Sequence, residues 1–346
     1  MVQATMKAAH IYAPKDVRIE EASVPEIGSN EVLVQVKICG VCHVDFELYG
    51  GIRSIQKAPA NIGHEAVGVV EVVGKDVEVI KRGDRVAVDL LMRCGKCYFC
   101  RRGRGNLCMN RRGPFPGAFS EYTKAPEENI FKIPPEISFE EASFTEPLAC
   151  CINGVEKMNV RKGDDVVIIG AGPMGLLSLQ LAKLGGARVI VSDLLEERLK
   201  LAKKFGADEL ANPSKEDPVE KIKQLTEGQG AQGVMVAIGN LKAMEQGMRM
   251  AGKCGTVVLF GALWPPASLS IDPNVIHYNE LVITGAESRT LDQFYRALKM
   301  IANDIVQVEP LISHVLPLGR IKEGLEIASN KEGLKVLIKV DDKAPA

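Results

Sequence analysis

No sign of charge dominates this chain: 43 Lys and Arg stand against 44 Asp and Glu, a formal net charge of −1 over 346 residues. Without a global field there is nothing to draw nucleic acid or an anionic membrane, and neither is expected as a partner. No apolar run approaches the ~20 residues needed to cross a bilayer. The start, Met1–Thr5, lacks the charged-then-apolar layout of a secretory leader. Internal repeats and low-complexity segments are missing as well. The nine cysteines are odd in number and clustered, which argues against a disulfide framework and for thiolates in a reducing compartment. A cytoplasmic location is expected. The length exceeds one ordinary core and suits two domains, and 46% hydrophobic with 25% charged residues is an ordinary globular balance.

What is present begins with short β-branched runs bounded by Pro or Gly: Met6–Tyr12, Val17–Glu21, Glu31–Ile38, Val67–Val73 and Arg85–Asp89. They predict an all-β unit, with another strand entered at Gly117–Tyr122. Inside it, Cys39-Gly-Val-Cys42-His43-Val44-Asp45 and Gly63-His64-Glu65 bring thiols, imidazoles and carboxylates into one segment. Cys and His suit a borderline-soft ion such as zinc; a buried thiol with scattered surface polar groups is the bland alternative. Cys94, Cys97, Cys100 and Cys108 lie on a Gly- and Arg-rich loop. Four cysteines with two-residue gaps predict a closed, structural zinc site. A zinc ribbon using Arg101, Arg102, Arg104, Arg111 and Arg112 on nucleic acid is the competing reading, in a chain otherwise neutral. A redox CxxC pair would need a thioredoxin-like setting that the sequence lacks. Glu146, between Thr145 and Pro147 at the start of a helical pattern, must be solvated, paired or metal-bound; capping by nearby backbone amides is the alternative.

From Asp164 the period changes. Asp165–Gly170 reads as a buried strand, Gly170-Ala-Gly172-Pro173-Met174-Gly175 as a turn, and Leu176–Leu184 as an apolar helix. A second strand, Ala187–Ser192, ends at Asp193. Strand, GxGxxG, helix, strand and acid in that order predict a dinucleotide site. Gly170 allows the tight turn, Gly172 lets backbone approach a pyrophosphate, and Gly175 permits helix–strand packing. The helix N-terminus favours the anion. Asp193 would accept from the ribose hydroxyls and repel a 2′-phosphate, favouring NAD, while Arg198 a turn further on keeps NADP open. Helices Val219–Leu225 and Leu241–Met250 alternate with strands Gly233–Ile238, Gly255–Phe260 and Leu281–Thr284, implying a parallel sheet with both faces covered. Ile238 and Gly261, at strand C-termini, are expected to line the nicotinamide side. From Leu291 a helix, Leu311–Val315, a helix near Arg320–Ala328 and a strand Leu334–Val340 form a tail expected to return to the first domain.

With these patterns placed, the sequence resembles the zinc-dependent medium-chain dehydrogenases, and within them the sorbitol (polyol) and threonine dehydrogenases. The carriers are Cys42 in Cys-Gly-Val-Cys-His, Gly63-His64-Glu65-Ala-Val-Gly68, Gly83-Asp84-Arg85-Val86, the four-cysteine lobe, Thr145-Glu146-Pro147-Leu148, Gly170–Gly175 and Gly333-Leu-Lys-Val336. The resemblance implies an α/β plus β architecture: a GroES-like β-barrel catalytic domain (1–153 and 289–346, zinc lobe about 90–112) and a Rossmann NAD-binding domain (154–288). It implies two zinc ions per chain, the catalytic one held by Cys42, His64 and Glu146, with Glu65 behind them or as an exchangeable ligand. It places His43 near the cofactor pyrophosphate, Cys39 in a strand core, and the alcohol site between the domains. Zinc would act as Lewis acid on a substrate hydroxyl, and hydride would pass to NAD, leaving a ketone. A polyol is the expected substrate, an amino alcohol such as threonine or a sugar phosphate met by Arg289 the alternatives, and a non-catalytic NAD-binding protein the reading from another class. A homotetramer is implied, with a homodimer as the alternative. One departure stands out: relatives commonly carry Ser or Thr where this chain has Val44, and that hydroxyl relays the alcohol proton.

Overall fold

The computed structural model describes residues 4–111 and 115–340. Residues 1–3, which open the leader reading, and Arg112, one of the basic residues named above, lie outside them. The chain divides into two compact units, Met1–Ala149 with Arg289–Ala346, and Cys150–Ser288.

In the first unit, alternation of buried and exposed positions drives strand pairing. Along Glu31–Gly40, Val32, Val34 and Val36 are fully buried. That strand is the hub of the larger sheet, ordered Ile312–Pro317, Lys335–Lys339, Glu31–Gly40, Glu65–Val73, Arg85–Asp89, Ile130–Lys132, with Tyr122–Pro126 also paired to Glu31–Gly40. A smaller antiparallel sheet joins Asp16–Ser23, Thr5–Ala13 and Ala60–Asn61. The core between them contains Ile11, Val34, Tyr49, Phe119, Leu325 and Ile338. The tail does return: Lys335–Lys339 pairs antiparallel with Glu31–Gly40, aligning Ile338 with Cys39 and Leu337 with Gly40.

One local expectation needs correction, and one helix was not foreseen. The strand expected from Gly117 begins only at Tyr122, Ser120 making a lone bridge to Ala8; buried Phe119 serves the core there, and its backbone carbonyl is taken by Ala9 N–H. Residues after Cys42 form a helix, His43–Gly50, that carried no apolar periodicity to announce it.

The second unit is built on β-branched runs. Asp165–Ile169 is Asp-Val-Val-Ile-Ile, buried from Val166 onward, as a strand covered on both faces should be. The six strands lie in the order Glu209–Ala211, Arg188–Ser192, Asp165–Ile169, Ala231–Val236, Ala251–Leu259, Val282–Gly285, all parallel. The order reverses direction beside Asp165–Ile169, the switch point at which such sheets bind ligands.

Candidate metal and cofactor sites

The four-cysteine lobe folds around its own sulfurs. A short helix, Tyr98–Arg101, and a 3-10 turn, Gly105–Leu107, bring Cys94, Cys97, Cys100 and Cys108 together, their sulfurs within 4.8 Å of one another. Backbone N–H groups of Cys97 and Cys94 donate to the sulfurs of Cys94 and Cys108, each at 3.3 Å. Such donors favour thiolate: amide bonds, led by that involving Cys100, lower the Cys97 thiol to about 6. Burial pushes Cys100 up to about 12. Four converging sulfurs fit a closed tetrahedral zinc. Two of the lobe's arginines are engaged locally, Arg101 donating to the Lys96 carbonyl at 2.9 Å and Arg102 lying over the Tyr98 ring.

Cys42 caps the helix His43–Gly50, and the buried Asp45 clamps it in place. One Asp45 oxygen accepts from Cys42 N–H at 2.9 Å and the other from Gly63 N–H at 3.0 Å. This carboxylate joins the segment bearing Cys42 to the one bearing His64. Gly63 has φ +84°, and a Cβ there would lie 2.8 Å from the Phe119 backbone nitrogen, so only glycine delivers His64 at this position. Ligand atoms of Cys42, His64 and Glu65 lie within 4.8 Å of one another. Burial pushes the His64 imidazolium down, but the Cys42 sulfur, then Glu146 and Asp45, outweigh it and raise His64 to about 10. A buried group of acids that retains a proton so strongly is one that fits a bound cation.

Two buried cations flank this group. Lys335 ion-pairs with Glu65 and donates to the Val41 carbonyl at 3.0 Å. Gly40 makes the room: a Cβ on it would collide with the Glu65 carboxylate and the Lys335 stem. Burial, the larger influence, pushes the Glu65 carboxyl up while Lys335 pulls it down, and the balance is upward. Glu146, the expected third zinc ligand, lies in the first turn of the helix Thr145–Met158 and gives one oxygen to Arg289. Arg289 is 5% exposed and also holds Asp89 at 2.6 Å, so it is neither a surface ion pair nor an open phosphate reader. Cys39 is fully buried in its strand, as expected. His43 has an exposed ring whose Nε2 lies 3.1 Å from Glu47.

Sequence reasoning missed Asp45, Lys335, Asp89 and Arg93. Signals existed for two: Asp45 stands at capping-box spacing from Cys42, and Lys335 is a charge directly ahead of the apolar run Val336–Ile338.

In the second unit the glycine loop has the geometry its spacing predicted. Gly172 caps the helix Pro173–Leu184, with Pro173 at its first position and Met174 next. A Cβ on Gly175 would sit 1.8 Å from the Gly170 carbonyl oxygen, whereas one on Gly172 meets nothing closer than Arg198 Nη1 at 4.0 Å. The face above Gly172 is thus open to an anion, and Arg198 stands beside it. Gly170 has φ +101° and lies under Ile238. Gly261 packs so tightly on Ile238 and Gly239 that a Cβ would come within 2.3 Å of backbone. Asp193 uses both oxygens to hold the loop, accepting from Ala171 N–H at 2.7 Å and Leu195 N–H at 2.9 Å.

Known proteins match both units. Residues 28–135 match the alcohol dehydrogenase GroES-like domain and residues 173–303 the zinc-binding dehydrogenase family. The chain is 33% identical to L-threonine 3-dehydrogenase of Symbiobacterium thermophilum, over 98% of this chain and 99% of that one. It is likewise 33% identical to sorbitol dehydrogenase of Bacillus subtilis, over 97% and 98%. A crystal structure of a zinc-binding dehydrogenase from Sinorhizobium meliloti bound to NADP superposes with TM-score 0.91 at 32% identity, covering 98% of this chain and all of that one. The chain belongs to the zinc-type medium-chain dehydrogenases, in the branch of the sorbitol and threonine enzymes, and is a zinc-dependent alcohol dehydrogenase using a nicotinamide dinucleotide.

Proposed function

We propose that this enzyme oxidises a secondary alcohol of a polyol to a ketone with NAD. The observation that carries the reading is the convergence of Cys42, His64 and Glu65 beside a second buried glutamate, Glu146. Zinc, when bound, supplies Lewis acidity that lowers the pKa of a hydroxyl, and the nicotinamide accepts the hydride. Cys42, His64 and one glutamate hold the metal, and Glu65 is the glutamate within reach of the other two ligands. Glu146, steered by Arg289, is then the carboxylate that meets a neighbouring hydroxyl of the substrate. A buried carboxylate accepts several hydrogen bonds, and a polyhydroxylated molecule supplies donors for it. Cys94, Cys97, Cys100 and Cys108 hold the structural zinc.

Val44 offers no hydroxyl for the alcohol proton, so the proton leaves through water or a second substrate hydroxyl by way of Glu146 or Glu65. Val44→Thr should alter the pH profile of turnover; an unchanged profile and rate would count against a relay at this position. Glycine-loop amides at Gly172 and the helix starting at Pro173 receive the pyrophosphate, with Arg198 contributing charge. Asp193 disfavours a 2′-phosphate. Substituting Asp193→Ser should narrow the kcat/KM preference for NAD over NADP, and no preference in the parent would sink this assignment. The chain works in the reducing cytoplasm, as a homotetramer; light scattering on the purified protein tests the assembly. A second reading, an amino alcohol such as threonine, draws on the threonine dehydrogenase relative, which matches as well as the sorbitol enzyme. Following NADH absorbance over a panel of polyols, threonine, sugar phosphates and simple alcohols decides the substrate: preference for threonine or a simple alcohol overturns the polyol reading.

A further inference from the structure

Four buried charged side chains form a chain of ion pairs within the first unit, and the chemistry above uses only Glu146 and the Arg289 that steers it. Asp89, Arg289, Glu146 and Arg93 are 0%, 5%, 5% and 8% exposed. Arg289 gives Nη1 to Glu146 and Nη2 to Asp89 Oδ1. Arg93 gives Nη1 to Asp89 Oδ2 at 2.6 Å and Nη2 to the Arg289 carbonyl at 2.7 Å. Asp89 thus serves a different guanidinium with each oxygen. Arg93 directly precedes Cys94, and its stem passes the lobe's Gly105 so closely that a Cβ there would lie 2.6 Å from Arg93 Cδ. The far end of the ion-pair chain therefore rests on the four-cysteine lobe.

We propose that Arg93 and Asp89 are positioning residues that tie the set of Glu146 to the order of the four-cysteine lobe. The physical reason is competition for Arg289. Buried charges tolerate no missing partner, so an Asp89 deprived of Arg93 turns both oxygens to Arg289 and draws that guanidinium away from Glu146. A disordered lobe, which loosens Arg93, has the same result. Arg93, Asp89, Arg289 and Glu146 would then link alcohol turnover to the filling of the lobe by its metal, with neither Arg93 nor Asp89 touching substrate. This rests on the reading of Glu146 as the carboxylate that meets substrate.

The test uses the full-length, metal-loaded enzyme with cobalt(II) exchanged into the catalytic site. Arg93→Met should keep both metals, shift the visible cobalt absorption and lower kcat/KM for the alcohol by roughly 10–100-fold, with KM for the cofactor unchanged. Arg93→Lys, which still reaches Asp89, should restore part of both signals. If Arg93→Met does not fold, Gly105→Ala displaces the Arg93 stem without changing charge and should give the same cobalt shift in smaller degree. A foldable variant that loses lobe metal or thermal stability yet keeps the parent's cobalt spectrum and alcohol kinetics overturns the coupling. Glu146→Gln separates the two claims: if it leaves alcohol turnover unchanged, the reading of Glu146 falls and the coupling with it. If it impairs turnover while Arg93→Met and Gly105→Ala are silent, only the coupling falls.

Discussion

At the scale of single residues, the site is a matter of which buried carboxylate answers to which cation. Glu65 has Lys335 and Glu146 has Arg289, and each pair can be broken separately. Glu65→Gln should release zinc to a chelator at least ~10-fold more readily, measured as metal per chain, while Glu146→Gln should keep the metal and lose turnover. The reverse pattern would return Glu146 to the role of third ligand. Lys335→Met strands a buried carboxylate, a change that typically costs about 3–5 kcal/mol. Because a bound metal supplies compensating charge beside Glu65, the loss seen in denaturant unfolding should be larger in chelated protein than in zinc-loaded protein. Equal losses in the two would mean that Lys335 stabilises the fold without reference to the metal.

Elements add constraints that no single side chain carries. The turn from Asp165–Ile169 into Pro173–Leu184 has no space at Gly175, where a Cβ would meet the Gly170 carbonyl at 1.8 Å. Gly175→Ala should therefore cost about 1–3 kcal/mol, seen as weakened NADH binding in a fluorescence titration; unaltered affinity would show that the helix can shift freely. In the other unit Glu127 fastens the segment before Arg85–Asp89, accepting N–H bonds from Glu78, Val79 and Ile80. Burial pushes its carboxyl up, but the three amides outweigh burial and hold it below the usual range. Its contribution is then fully present above the unfolded glutamate value of about 4.3 and fades as pH falls through the lower folded value. Glu127→Gln should lower Tm by about 2–4 °C at pH 7, and the gap between variant and parent should close toward pH 3. A gap that persists in acid would assign the effect to shape and not charge. Among these elements, those whose function lies in local spacing were legible in the sequence: the four cysteines, and Gly170, Gly172 and Gly175. The helix His43–Gly50 was not, because a cysteine cap and a buried Asp45 are unlike the usual helix start and the residues between have no apolar stripe.

The whole molecule explains why the rest could not be read. Lys335 reaches Glu65, and Arg289 reaches Asp89 and Glu146, only because distant strands and helices pack into one unit. A lysine ahead of an apolar run signals burial without naming its partner, an arginine after a serine signals neither, and neither glutamate outranks the other until those cations are placed. The unit Cys150–Ser288 is continuous in sequence, while the other needs segments on both sides of it. Local connections form before distant ones, so refolding followed by pulse-labelled hydrogen exchange should protect Val166–Ile169 before Val32–Val36; the opposite order would show that the discontinuous unit does not wait.

That layout has a bearing on synthesis at the ribosome. The strand Lys335–Lys339 brings the ammonium that Glu65 meets, and it emerges long after both Cys42 and the complete glycine loop. A chain broken off between 289 and 334 has the cofactor turn and every expected zinc ligand, yet lacks the ammonium that Glu65 meets and leaves the Ile38–Gly40 end of the strand Glu31–Gly40 without its partner. Such a product exposes an unpaired strand edge, which invites aggregation, so the pairing of Lys335–Lys339 doubles as a check that translation reached it.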